Sequence, residues 1–246
     1  MSRKEALIVF TQEIVIVLGE IEQQADVDHR QNASDGRMEF VYVQYYLVEI
    51  RNLLDLSMYL LTHNTFRKYT HFPIRQIMEI VLYLEDMYSI KKEEGLDGVR
   101  RLFFRDIASV AKSQLELPGE GGKEKIRNQL GLLDVASKIL NLDFKTENVS
   151  SKSRRNIKNL CEKSTVIVKK CTGGELYNFY SILSEPSHAN VVNIGASNST
   201  NDETEALMIF EIGIELTLRF CEMIVRESGY VKIVPDIENL KRTAGI

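Results

Sequence analysis

The chain has 246 residues, 44% of them hydrophobic and 27% charged, the balance of a globular protein with material for one large core. A net charge of −4 argues against any global pull toward nucleic acid or an acidic membrane surface. Three cysteines (Cys161, Cys171, Cys221) lie in no CxxC pair, which argues against a disulfide framework or zinc ribbon and predicts reduced thiols in a soluble, cytoplasmic protein.

Apolar residues recur at helical spacing almost throughout, and strand-like alternation is scarce. Ser2 followed by Glu5 is a capping-box pattern that opens a first helix to about residue 25. Glu5 and Glu13 interrupt its apolar run, so it does not read as a signal peptide. The turn-rich stretch DVDHRQNASDGR predicts a loop. A second helix over 38–63 is apolar around most of its circumference, which predicts a central position. Glu49, Arg51 and Asp55 are too many charges for a membrane span.

A third helix follows over 73–92, with Pro73 in its first turn. EEGLDG breaks it, and Asp97 is placed to cap a fourth, with Val99, Leu102, Phe103, Ile107 and Val110 on one face. Ile126, Leu130, Leu133 and Leu140 mark a fifth helix, and a sixth is predicted from Ser153 to about Lys169. A seventh carries Tyr177 and Tyr180. The last long helix runs from about Asp202 to Glu227, with Glu211, Glu215, Arg219, Glu222 and Arg226 as a solvent stripe of i,i+4 ion pairs. Leu207, Phe210, Ile214, Leu218, Cys221 and Val225 form its opposite face. No Pro- or Gly-rich linker divides the chain. The expectation is all-α, a single-domain bundle of seven to eight helices over residues 1–246, with 38–63, 73–92 and 203–227 forming most of the core.

The chemistry-bearing stretch is YNFYSILSEPSHANVVN, residues 177–193. Tyr177, Tyr180 and Ser184 share a helix face. Pro186 should end or bend the helix, leaving His188 just past the bend as a general base or acid. The plainer reading is that these groups satisfy one another at a helix end. In the third helix, Arg75 and Glu79 read either as part of a solvent stripe with Gln76, Tyr83 and Asp86, or as an inward pair facing the tyrosine–histidine segment.

An Arg-x-x-x-Glu in an early apolar helix, then a Tyr-x-x-x-Ser…His segment, resembles an uncharacterised family of bacterial all-helical proteins. That family is similar in turn to the HEPN superfamily of helical bundles, many of them ribonucleases of toxin–antitoxin and phage-defence systems. The matching positions are Arg75, Glu79, Tyr177, Tyr180, Ser184 and His188, within residues 38–225. The HEPN nuclease motif has arginine five positions before its histidine, where this chain has Leu183, and Arg67 and His71 are four apart. The resemblance therefore supports the bundle more than the nuclease.

No cofactor or metal is expected. Glu185 and His188 have the Glu-x-x-His spacing of di-iron bundles, but the motif occurs once and Pro186 interrupts it. Residues 145–174 carry eight Lys or Arg against Glu147 and Glu162, a local charge of +6. Arg154, Arg155 and Lys158 from that stretch, with Arg101 and Arg105 of the fourth helix, are the candidates for an RNA or other nucleic-acid backbone. The plainer reading is a solubilising surface.

These observations predict a helical binding or regulatory protein, HEPN-like, set by the resemblance in a prokaryotic stress or defence system. A protein partner and a homodimer are compatible with it, and a membrane is not. The alternative is a metal-independent ribonuclease with His188 as base, Arg75 stabilising phosphate charge, and Glu79, Tyr177 and Tyr180 around the substrate.

Overall fold

A computed structural model describes residues 1–32, 38–152, 155–166, 168, 176–184 and 203–245. Every regular element among them is helical: α1 (Arg3–Asn32), α2 (Met38–Thr62), α3 (His71–Leu115), α4 (Lys123–Ile139), α5 (Ile157–Lys163), α6 (Leu176–Ser184), α7 (Glu203–Ser228) and α8 (Val234–Ala244). Local chemistry starts the first of these. Glu5 N donates to Ser2 Oγ at 3.2 Å while Ser2 N donates to Glu5 Oε2 at 2.7 Å, the reciprocal bonds of a capping box. No described helix is long and apolar enough to cross a membrane.

One apolar core runs through α1, α2, α3 and α7. Phe210 and Phe220 of α7 and Ile74, Ile77 and Met78 of α3 are fully buried, each contributing about 1.5–3 kcal/mol of transfer free energy. α7 packs tightly on α3 at Gly213, where an added Cβ would lie 2.3 Å from Ile74 Cδ1. Two buried hydroxyls of the core are satisfied within their own helices: Thr217 donates to Gly213 O at 2.8 Å and Ser57 to Leu53 O at 2.6 Å.

α3 does not run straight. At Gly95 the backbone adopts φ 71° and ψ −161°, a conformation open to glycine and costly for other residues. The turn separates an N-terminal arm from a C-terminal arm. Gly98 sits in the corner, where an added Cβ would lie 2.6 Å from Glu94 Cβ. The break read from EEGLDG falls at Gly95, where two helical arms meet across a kink, and Asp97 pairs with Arg100 at 2.7 Å.

Several expectations are corrected. α1 runs on to Asn32, through residues read as loop. The sixth predicted helix shrinks to Ile157–Lys163, its start capped by the Asn156 side chain. α8 went unread, although Pro235 in its first turn and Gly245 at its left-handed C-cap mark both ends. The charged stripe of α7 faces solvent only toward its C-terminal end, at Glu222 and Arg226: Glu215 is fully buried, and Glu211 is buried with Arg3 Nη2 at 2.7 Å. Glu222 pairs with Arg219 and Lys241, at 3.0 and 3.2 Å, not with Arg226. The central helix is accordingly α7, whereas α2 leaves Tyr45, Leu56 and Tyr59 exposed.

The approach at Gly213 can be tested directly. Gly213→Ala should cost about 1–3 kcal/mol by overpacking. Ile74→Val, which removes the clashing Cδ1, should cost about 0.5–1.5 kcal/mol alone and recover part of the loss in the double variant. Urea unfolding of all four proteins reads this out; strict additivity would remove the contact from the account.

Candidate functional site

Tertiary structure gathers three helical stripes around one opening. α2 contributes Val41, Tyr42, Tyr45, Tyr46 and Glu49, at helical spacings of three and four. The N-terminal arm of α3 adds Gln76, Glu79, Ile80 and Tyr83, and the C-terminal arm adds Phe103, Asp106, Ser109 and Val110. Arg155, ahead of α5, completes a cleft of about 560 Å³, a volume usual for small-molecule sites. Phe103 and Val110, read from sequence as sharing one apolar helix face, both line the cleft: Val110 is 50% exposed, and Phe103 packs against the core and meets the Tyr42 ring edge-on at 5.5 Å.

Arg155 closes the floor. Its Nη1 donates to Tyr83 O at 2.7 Å and its Nη2 to Asp106 Oδ2 at 2.9 Å, with Nε 3.6 Å from Asp86 Oδ2. The guanidinium lies 4.9 Å from the Tyr83 ring centroid and 5.6 Å from that of Tyr42, within cation–π range. Tyr42 OH donates to the same Asp106 oxygen at 2.9 Å. Burial works against the arginine's charge, but Asp106, the tyrosines and Asp86 hold its pKa above the ordinary arginine value. Burial raises the Asp86 carboxyl, with Arg155 pulling the other way.

This corrects the reading of Arg155 as an exposed contact to a nucleic-acid backbone, because its side chain is only 4% exposed. The neighbouring basic groups are laced with acid. Arg101 holds Glu94 at 2.7 Å, Arg105 lies 3.7 Å from Asp106, and Lys158 lies 3.9 Å from Glu162. Lys158 also sits 5.9 Å above the Tyr177 ring. Arg154 lies outside the described residues.

A second cluster abuts the cleft through Glu79. Its Oε1 accepts from Arg75 Nε at 3.1 Å and from Tyr180 OH at 2.8 Å. The Arg75 guanidinium lies 5.4 Å from the Tyr180 ring, which stacks on Tyr177 at 6.4 Å. Arg75 and Glu79 are half-buried and face α6, rather than forming an open solvent stripe. Burial opposes the charge of Arg75, yet its bond to Glu79 and the nearby Tyr180 hold its pKa up. The Tyr180 phenol is raised by burial and then by Glu79. Ser184 Oγ donates to Tyr180 O at 2.7 Å, a helix-internal bond. His188, with Glu185 and Pro186, lies outside the described residues, and the predicted meeting of His188 with Arg75 and Glu79 lies there with it.

The cleft residues that sequence reasoning missed are Tyr42, Tyr45, Tyr46, Glu49 and Asp106. The available signal was YVQYYLVE, three tyrosines and a glutamate on one helix stripe. Burial raises Tyr42 and Tyr46 well above the ordinary tyrosine value and pushes Tyr83 up to about 12. It also lifts the Cys161 thiol to about 11 and that of Cys221 to about 12, so neither is poised as a nucleophile. These shifts run away from neutrality, the opposite of what acid–base or nucleophilic catalysis requires. The arrangement is equipped to hold a ligand against rings and carboxylates. Compared with models of known families, with curated proteins and with solved structures, the chain shows no match in any of the three.

Removing the floor cation should be costly. Arg155→Met removes the cation that Asp106 and Asp86 share and should cost about 3 kcal/mol, measured by urea unfolding at constant slope; a loss below about 1 kcal/mol would mean the pair behaves as a surface one. Burial of Tyr83 also sets an alkaline limit. Unfolded tyrosine ionises from about pH 10, whereas Tyr83 stays neutral up to about 12, so its contribution is complete below the first value and lost across that window. Tyr83→Phe should flatten the fall in urea midpoint between about pH 10 and about pH 12.

Proposed function

We propose that this chain is a ligand-binding helical protein with a regulatory part, and that the cleft between α2 and the two arms of α3 is its binding site. The observation that carries the reading is a preformed opening walled by Tyr42, Tyr45, Tyr46, Tyr83 and Phe103 and floored by a guanidinium bonded to Tyr83 O and Asp106. Aromatic walls with a few fixed polar groups are the usual composition of a small-molecule site. A role in a prokaryotic stress or defence system, implied by the resemblance to HEPN-type bundles, belongs to the same proposal.

The ribonuclease reading draws support from the meeting of Arg75, Glu79 and Tyr180. Charge weighs against it. A phosphodiester needs positive charge that is free to face it, and Arg75, Arg101 and Arg155 are each tied to a carboxylate. A nucleic-acid partner is disfavoured for the same reason.

The test uses a plug. Val110 stands on the wall and is half exposed, so Val110→Trp should fill the opening while sparing the core. A panel of neutral, cationic and anionic aromatic fragments is screened by ligand-observed NMR against both proteins. Fragments that bind the wild type and lose at least about tenfold in affinity, roughly 1.4 kcal/mol, on the plugged variant support the site. Fragments whose binding ignores the plug, or no binding at all, overturn it.

A further inference from the structure

We infer that the ligand of this cleft is a small organic cation, a quaternary or protonated amine, an inference that rests on the cleft being a binding site. The lining carries three carboxylates, Glu49, Glu79 and Asp106, against the single guanidinium of Arg155. That guanidinium is already neutralised by Asp106 and Asp86, and Glu79 is shared by Arg75 and Tyr180. Glu49 is different. It is half-buried and, among the described residues, makes neither a hydrogen bond nor an ion pair. Its charge therefore stands uncompensated on the same α2 stripe as Tyr45 and Tyr46.

Aromatic faces attract cations through their quadrupole, most strongly where water is excluded. The cleft demonstrates this with a cation of its own, because Arg155 lies against two tyrosine rings with a carboxylate beside it. The same combination recurs toward the opening, where Tyr45 is 64% exposed and Glu49 supplies the charge. An anionic ligand would meet these carboxylates, while the buried guanidinium of Arg155 is already flanked by two of its own, with Nη2 2.9 Å from Asp106 and Nε 3.6 Å from Asp86. A neutral ring could stack on the tyrosines but would leave Glu49 unanswered. Charge complementarity thus selects the cation.

Two probes of nearly equal shape decide it: choline, and its neutral carbon isostere 3,3-dimethylbutan-1-ol. The chain has ten tyrosines and no tryptophan, so its intrinsic emission reports directly on tyrosine, and NMR of the tyrosine rings gives an independent affinity. Choline should bind at least about fivefold more tightly than the isostere, the margin of a cation–π site. Glu49→Gln should erase most of that preference while leaving the isostere's affinity unchanged; the side chain has no partner to lose, so the fold should tolerate it. Equal affinity for the two probes, or an equal loss of both in Glu49→Gln, overturns the cation. If neutral fragments still bind in a Val110-dependent way, the binding site stands and only its ligand class falls. If nothing binds in that way, both fall together.

Discussion

The buried guanidinium of Arg155 is the interaction on which the site depends. It joins groups far apart along the chain: the carbonyl of Tyr83 on one arm of α3, the carboxylate of Asp106 on the other, and the ring of Tyr42 on α2. A planar, permanently charged group with several fixed donors suits the task, because it can bond two elements edge-on while stacking on a third. A lysine ammonium offers no such plane. The network also explains why a charge could enter the fold at all, since each side of it meets a carboxylate, a carbonyl or a ring.

That network requires the turn in α3. Tyr83 and Asp106 are 23 positions apart in the chain, which on a straight helix is a separation of roughly 35 Å. The glycine conformation at Gly95 is what lets one arginine reach both. Two further close approaches keep the framework stiff: Gly98 fits the corner against Glu94 and Ile90, and Gly213 lets α7 lie directly on Ile74. The cleft wall is therefore built on packed helices rather than loops, the arrangement that holds site geometry most closely.

Charge is distributed around the cleft so that almost every polar group has its partner inside the protein. Glu79 answers Arg75 and Tyr180, and Asp106 answers Arg155 and Tyr42. What remains is the carboxylate of Glu49 beside the tyrosine rings. Among the described residues, it makes neither a hydrogen bond nor an ion pair.

Much of the fold was legible in the sequence. Apolar spacing located α2, α3, α4 and α7, and Ser2 with Glu5 marked the first helix start. The Arg75–Glu79 pair and the tyrosines of α6 stood out as an odd polar set within apolar helices. The sequence did not tell which polar stripe faced solvent. On α7, Glu211 and Glu215 follow an exposed spacing but lie inside, because α1 brings Arg3 to Glu211 and neighbouring helices cover the rest. Arg155 looked like one more surface cation in a basic run and is instead the floor of the cleft.

The physical reason is the range of the forces. Helix formation, caps and the turn at Gly95 are decided by residues within a few positions of one another, so a linear pattern records them. Which face is covered, and by what charge, is decided by residues dozens of positions away whose positions relative to one another no periodicity carries. The sequence by itself determined an all-helical bundle and its main core segments. Only the tertiary structure decided that three tyrosines of α2, two arms of α3 and one arginine would meet around a single opening.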